Sequence, residues 1–144
     1  NYRMEGLQGA VLNVKLKYLP KWTEMRRQNA ALYKKYLIDI PQLRLPEEHP
    51  DVYHVWYLFV VRVERRDELF LYLKENQIFS GIHYPVPCHL QKAYKFLGYH
   101  KGQLPVTESY AAEILSLPFY PELEGAQIIY IVNKIRNFFG VPGI

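Results

Sequence analysis

Apolar residues recur at steps of three and four through the first part of the chain, a spacing that predicts helix. Met4, Leu7, Val11, Val14 and Tyr18 share one face, and the series resumes beyond Pro20 as Trp22, Met25, Asn29, Leu32 and Tyr36. Lys21, Arg26, Arg27, Lys34 and Lys35 occupy the opposite, solvated side. Proline removes a backbone donor and crowds the preceding turn. The pattern therefore predicts one long helix over about 3–38, kinked at Pro20 and favoured over two helices in tandem.

Pro41, Pro46 and Pro50, with Glu47, Glu48 and Asp51 among them, predict an exposed connection. Val55 to Val63, VWYLFVVRV, is β-branched, aromatic and almost continuously apolar, as expected of a central strand covered on both faces. Arg66 to Asn76 predicts a helix, with Asp67 and Glu68 complementing its dipole and Leu69, Tyr72 and Leu73 facing inward. Ile78 to Ile82 predicts a short strand. The run Tyr84-Pro85-Val86-Pro87 cannot continue a ladder, because two prolines remove donors, and a short helix to Leu97 should follow. A helix over Thr107–Leu115 leads to an edge strand at Leu115–Leu117, stopped by Pro118. Ile128, Ile131, Ile135 and Phe138 mark a last helix between Pro121 and the Gly140–Pro142 stop. Helices alternating with about three short strands predict an α/β fold, a small sheet packed with helices.

Composition narrows the function classes. At 144 residues the chain makes one domain with a core of its own, and 49% hydrophobic against 22% charged residues excludes disordered and membrane-spanning classes. The net charge of +4 carries no block of like charges, so nucleic acid is not expected as a partner. With 13 tyrosines among its aromatics, the chain suits an interface or ligand cleft as well as a core. Cys88 is the only cysteine, which rules out an intrachain disulfide and points to a reducing, cytoplasmic setting. No membrane partner is expected, for want of a long apolar run or a signal-peptide pattern. The opening Asn1-Tyr2-Arg3 has no initiator methionine and reads like a cut.

Gly81 to Gln91, GIHYPVPCHLQ, sets His83, Tyr84, Cys88 and His89 on a proline-constrained loop at a strand end. Such loops present groups to ligands from a rigid scaffold, and histidine there can donate, accept or hold a proton. Ligand contact and simple hydrogen bonding within the loop both remain open at this point. The spacing matches no closed zinc site, so no metal is expected. His49 and His54 suit turn or core roles, and His100 a surface turn. Neither a catalytic triad nor a glycine-rich phosphate loop can be nominated.

Three segments carry a family resemblance over essentially the whole chain. Asn1-Tyr2-Arg3-Met4 with Gln8-Gly9-Ala10 resembles the N-x-R-M-x-x-x-Q-A-A segment that follows the pyridoxal lysine in the DegT/DnrJ/EryC1/StrS sugar aminotransferases, Gly9 departing from it. GIHYPVPCHLQ resembles that family's G-I-x-x-x-Y-P-x-P-x-H-x-Q region, and LSLPFYPEL, Leu115 to Leu123, its L-S-L-P-M-x-P-x-L segment. Order and spacing agree.

The resemblance implies that residues 1–144 form the C-terminal small domain of a fold-type-I pyridoxal 5'-phosphate (PLP) transferase, the long helix linking it to a PLP-binding large domain. It implies a homodimer with shared active sites. Asn1 matches the asparagine that reaches the cofactor phosphate of the neighbouring subunit, and Arg3 stands on the same cofactor side. His83, Tyr84 and His89 match substrate-contacting positions, whereas Tyr57 stands where many relatives carry a histidine. The implied reaction moves an amino group from glutamate, through the cofactor, to a nucleotide-linked keto-sugar, most nearly the 3-keto-6-deoxyhexose type. Polysaccharide biosynthesis is the implied setting. The lysine that holds the cofactor would lie upstream of Asn1, so no catalytic residue is assigned within the chain and the chain alone is expected to be inactive. A nucleotide-sugar dehydratase of the same family, or a non-catalytic binding or dimerisation fragment, are the alternative readings.

Overall fold

The computed structural model describes residues 2–144, so Asn1 and the cofactor role expected of it lie outside the described residues. The chain begins with helix α1, Gly6–Leu16. A reciprocal pair of bonds starts it, the Glu5 side chain accepting from the backbone of Gln8 while Gln8 Oε1 accepts the Glu5 amide at 2.9 Å. Helix α2, Leu19–Leu37, follows directly. The expected single kinked helix is thus resolved as two in tandem, and Pro20 is the cause. It has no N–H to give to the turn before it, and it sits in the first turn of α2, where that donor is not needed.

Strand β1, Leu43–Arg44, lies in the segment expected to be only a connection. Strand β2, Phe59–Val63, is the centre of a three-stranded antiparallel sheet of order β1-β2-β3. The strand is shorter than the VWYLFVVRV run. Trp56, 3% exposed, takes a φ of 49° that no strand tolerates, and its amide goes instead to His54 Nδ1 at 2.9 Å. Helix α2 fixes this irregular approach, since Arg27 donates to Glu48 at 2.6 Å and to the His54 carbonyl at 2.8 Å, and Arg26 to the Tyr57 carbonyl at 3.2 Å. The two faces of β2 also differ. Phe59, Val61 and Val63 are buried, while Val60 and Arg62 are half-exposed on the face where Arg62 pairs with Glu113 at 2.7 Å.

Helix α3, Arg66–Glu75, leads to a segment that touches the sheet at a single point, Gly81 opposite Ser116, in place of the expected strand over 78–82. Two short 3-10 turns, Cys88–Leu90 and Lys92–Leu97, precede helix α4, Pro105–Glu113. Strand β3, Ile114–Leu117, is the edge strand foreseen before Pro118. Helix α5, Gly125–Phe138, carries the strongest amphipathic pattern and buries Ile128, Ile131, Val132 and Ile135. Gly140, at a φ of 70°, closes it: its amide returns to the Asn137 carbonyl at 3.1 Å and that of Val141 to Arg136 at 2.9 Å. None of the helices among the described residues is long and apolar enough to cross a membrane.

The core joins α2, α3, α5 and the buried sheet face around Tyr33, Phe59, Leu69, Leu73, Leu115 and Ile128. Burial pushes the Tyr33 phenol pKa up, and its hydroxyl donates to the Pro118 carbonyl at 3.0 Å. Arg136 ties the two C-terminal helix ends together, donating to Asp39 at 2.6 and 2.8 Å and to the Tyr36 carbonyl at 2.9 Å. That guanidinium holds the Asp39 carboxyl below the usual carboxylate range, as Arg27 does for Glu48. A carboxyl depressed in the folded state stabilises above its unfolded pKa and loses that contribution as pH falls through the folded value. The expected outcome is that Asp39→Asn is less stable than the native chain at neutral pH and that the gap closes under acid. Urea titrations at pH 7 and in steps below pH 4 would check it; a gap that widens with acid would reverse the sign.

Candidate functional site

The loop after Gly81 is built by what its sequence cannot do. Pro85 and Pro87 have no amide protons, so the chain peels away from β3 after one bridge, in which the Gly81 amide reaches the Ser116 carbonyl at 2.9 Å and the Ser116 amide returns to Gly81 at 2.7 Å. His83 folds back against this bridge, Nδ1 lying 2.9 Å from the Ser116 hydroxyl. Glycine at 81 leaves room for the His83 ring in this position, since a Cβ there would stand 2.7 Å from its Cε1 and displace it. The His83–Tyr84 peptide bond is cis, and the two rings meet edge to face at 5.5 Å. Both side chains are exposed, Tyr84 to 72%.

His89 is placed differently. It is 8% exposed, its Nε2 lies 3.1 Å from Glu108 Oε1, and the ring of Tyr99 stands edge-on at 6.2 Å. Glu108, in the first turn of α4, also accepts the Gly102 amide at 2.8 and 2.9 Å, and with the His89 contact this holds its carboxyl below the usual range. Beside His89 opens an apolar cleft of about 380 Å³ lined by Cys88, Tyr94, Leu97, Tyr99 and Leu104. The chain therefore brings His83 and Tyr84 together at the exposed root of the loop and anchors His89 in the interior at its far end.

Two residues of this site were not singled out from the sequence. Ser116 has a legible signal, a lone hydroxyl between Leu115 and Leu117 in a strand otherwise apolar. Glu108 has a fainter one, an acid in the turn after Pro105. Elsewhere His49 pairs loosely with Asp51 at 3.6 Å, His54 is a backbone acceptor, and the His100 ring faces its neighbour's carbonyl, Lys101, at 3.3 Å. Among the described residues there is no group of three or more metal-ligating side chains. Arg3, expected from the resemblance on the cofactor side, is exposed and pairs with no carboxylate among the described residues. Half-buried Lys34 and Lys134 each lie over an aromatic ring, 4.5 Å from Trp56 and 5.4 Å from Tyr130, and the other lysines are exposed. Lys34 also lines a cleft of about 470 Å³, but it shares that cleft with Glu47 and Glu48, whose carboxylates do not suit a cofactor phosphate.

The small sheet, the flanking helices and the proline-constrained loop together make an α/β fold shared with a solved DegT/DnrJ/EryC1/StrS aminotransferase of Brucella abortus, at a TM-score of 0.89 and 38% identity over 96% of this chain and 36% of that one. The crystal structure of Streptomyces venezuelae DesV in complex with ketimine intermediate superimposes with a TM-score of 0.93 at 41% identity, over 96% of this chain and 37% of that one. Residues 1–136 match the DegT/DnrJ/EryC1/StrS aminotransferase family, and the chain belongs to it. It is 43% identical over 141 residues to a pleiotropic regulatory protein of Geobacillus stearothermophilus, covering 96% of this chain and 38% of that protein. It is 41% identical over 138 residues to the dTDP-3-amino-3,4,6-trideoxy-alpha-D-glucose transaminase of Streptomyces venezuelae, covering 96% and 36%. The chain thus spans a little over a third of the length of the curated relatives it matches.

Proposed function

We propose that this chain serves as the small domain of a PLP-dependent aminotransferase that transfers an amino group from glutamate to a nucleotide-linked keto-sugar, the 3-keto-6-deoxyhexose type being the nearest candidate. The observation that carries this is the family match over residues 1–136 together with a relative, 41% identical, that bears the name of a dTDP-3-amino sugar transaminase. In this reading residues 1–144 pack against a PLP-binding large domain, with α1 and α2 as the link, and two subunits share their active sites. Asn1 and Arg3 stand on the cofactor side, and His83, Tyr84 and His89 on the substrate side. The carbanion-stabilising chemistry is the cofactor's, and no step of it is assigned to a residue of this chain. A single exposed thiol, Cys88, suits a reducing cytoplasm.

What the loop supplies is recognition. Exposed His83 and Tyr84 offer a ring nitrogen and a phenol to a sugar's oxygens, and His89, anchored on Glu108, keeps the prolines between them in place. In the intact enzyme His89→Ala is therefore expected to raise the KM for the nucleotide sugar by about tenfold, near 1.4 kcal/mol, while kcat changes by less than about threefold. Steady-state kinetics with a nucleotide-linked 3-keto-6-deoxyhexose and saturating glutamate test the assignment. A collapse of kcat with KM unchanged would refute it.

A further inference from the structure

Ser116 sits in the middle of β3, 3% exposed, and its hydroxyl has one partner among the described residues, Nδ1 of His83. A hydroxyl has one proton to give and two lone pairs. Burial penalises the unmatched group, and a proton with no acceptor leaves the hydroxyl nothing else to donate to. The proton therefore goes to Nδ1. In the neutral ring this leaves the other proton on Nε2, the nitrogen not engaged by β3.

We propose that Ser116 is a positioning residue: its hydroxyl holds His83 in the Nε2–H tautomer, so that the loop presents an N–H donor to an oxygen acceptor of the nucleotide sugar. Two contacts hold the ring, and a missing Cβ gives it room. Ser116 binds it by side chain and binds Gly81 by backbone, at 2.9 and 2.7 Å, so one residue sets both the loop's root and its first ring. Gly81 leaves the room, since a Cβ would stand 2.7 Å from Cε1, and the Tyr84 ring meets the imidazole edge to face at 5.5 Å while its outer side stays exposed. A ring pinned in this way costs little to order when a ligand arrives, which is what a specificity contact requires. The substrate half of the proposal rests on the aminotransferase reading above; the tautomer does not.

Nitrogen-15 spectra of the full chain labelled at histidine read the tautomer directly. The neutral His83 ring is expected as Nε2–H in the native chain. Ser116→Ala should release it into a mixture of tautomers, and Ser116→Thr, which keeps the hydroxyl, should restore it. Gly81→Ala is the second arm, because it keeps the hydroxyl but displaces the ring, and it should lose the single tautomer as well. An Nδ1–H ring in the native chain, or an unchanged ring in Ser116→Ala, would overturn the proposal. In the intact enzyme Ser116→Ala should raise the KM for the nucleotide sugar by about tenfold with kcat little changed, the loss expected of one hydrogen bond. If the tautomer result holds and KM does not move, the assignment of His83 to the substrate fails and the Ser116 contact stands.

Discussion

Phe59→Ala is expected to lower the unfolding free energy by about 3–5 kcal/mol, the range for emptying a fully buried aromatic site. Phe59 opens the central strand and is completely buried. Its ring stacks on Tyr33 of α2 at 5.1 Å, and lies 5.7 Å from Trp56 and 5.8 Å from Phe119. Truncation would remove the group on which helix, sheet and the segment after β3 all pack, and the surrounding rings are too rigid to collapse into the gap. A domain of this size holds about 5–15 kcal/mol in total, so the variant should stand near its threshold. Urea unfolding would show a large drop in midpoint at unchanged slope. Leu71→Ala, at a position 57% exposed on α3, should change stability by less than about 0.5 kcal/mol. Equal effects at the two positions would place the core elsewhere.

The second large effect is all-or-none. Incubated with PLP, reduced with borohydride and digested, the chain is expected to show scattered low labelling rather than one modified lysine. A stable adduct needs an amine held against the aldehyde by a preorganised pocket. The lysines here are exposed, apart from Lys34 and Lys134, whose ammonium groups rest on aromatic faces. Joined to a PLP-binding large domain, the same protocol should label one lysine stoichiometrically, on that domain. One stoichiometric lysine within residues 1–144 would sink the division of labour proposed above.

Much of the fold was legible because local chemistry and tertiary packing agree. Helix α3 starts close to where its acidic first turn placed it and α5 lies between the proline and glycine that were expected to bound it, and Leu115–Leu117 is an edge strand ended by Pro118 as its missing donor requires. The misreadings have tertiary causes. Val55–Leu58 looked like strand by composition, but Arg26 of α2 captures the Tyr57 carbonyl, Arg27 captures that of His54 just before the run, and Trp56 turns inward, contacts that lie 27 to 31 residues away in sequence. Strand β1 has two residues, too few to leave a period, and exists because β2 offers it an edge. Met4, Leu7, Val11 and Val14 gave a clear apolar stripe, yet α1 buries none of its residues within this chain, so periodicity revealed the helix and not its partner.

The candidate site was legible as a loop but not as a set of contacts. Prolines and histidines marked Gly81–Gln91 from spacing alone. What separates exposed His83 from buried His89 is the pair of partners, Ser116 and Glu108, that lie 33 and 19 residues further along the chain. No local pattern encodes such distances.

The most direct test of the proposed function is the glutamate half-reaction of the intact enzyme. Purified with PLP and given glutamate alone, it should pass from the absorbance of the aldehyde form to that of the amine form, and then return on addition of a nucleotide-linked 3-keto-6-deoxyhexose with release of the amino sugar. No glutamate-dependent spectral change, with any nucleotide-linked keto-sugar, would contradict the account.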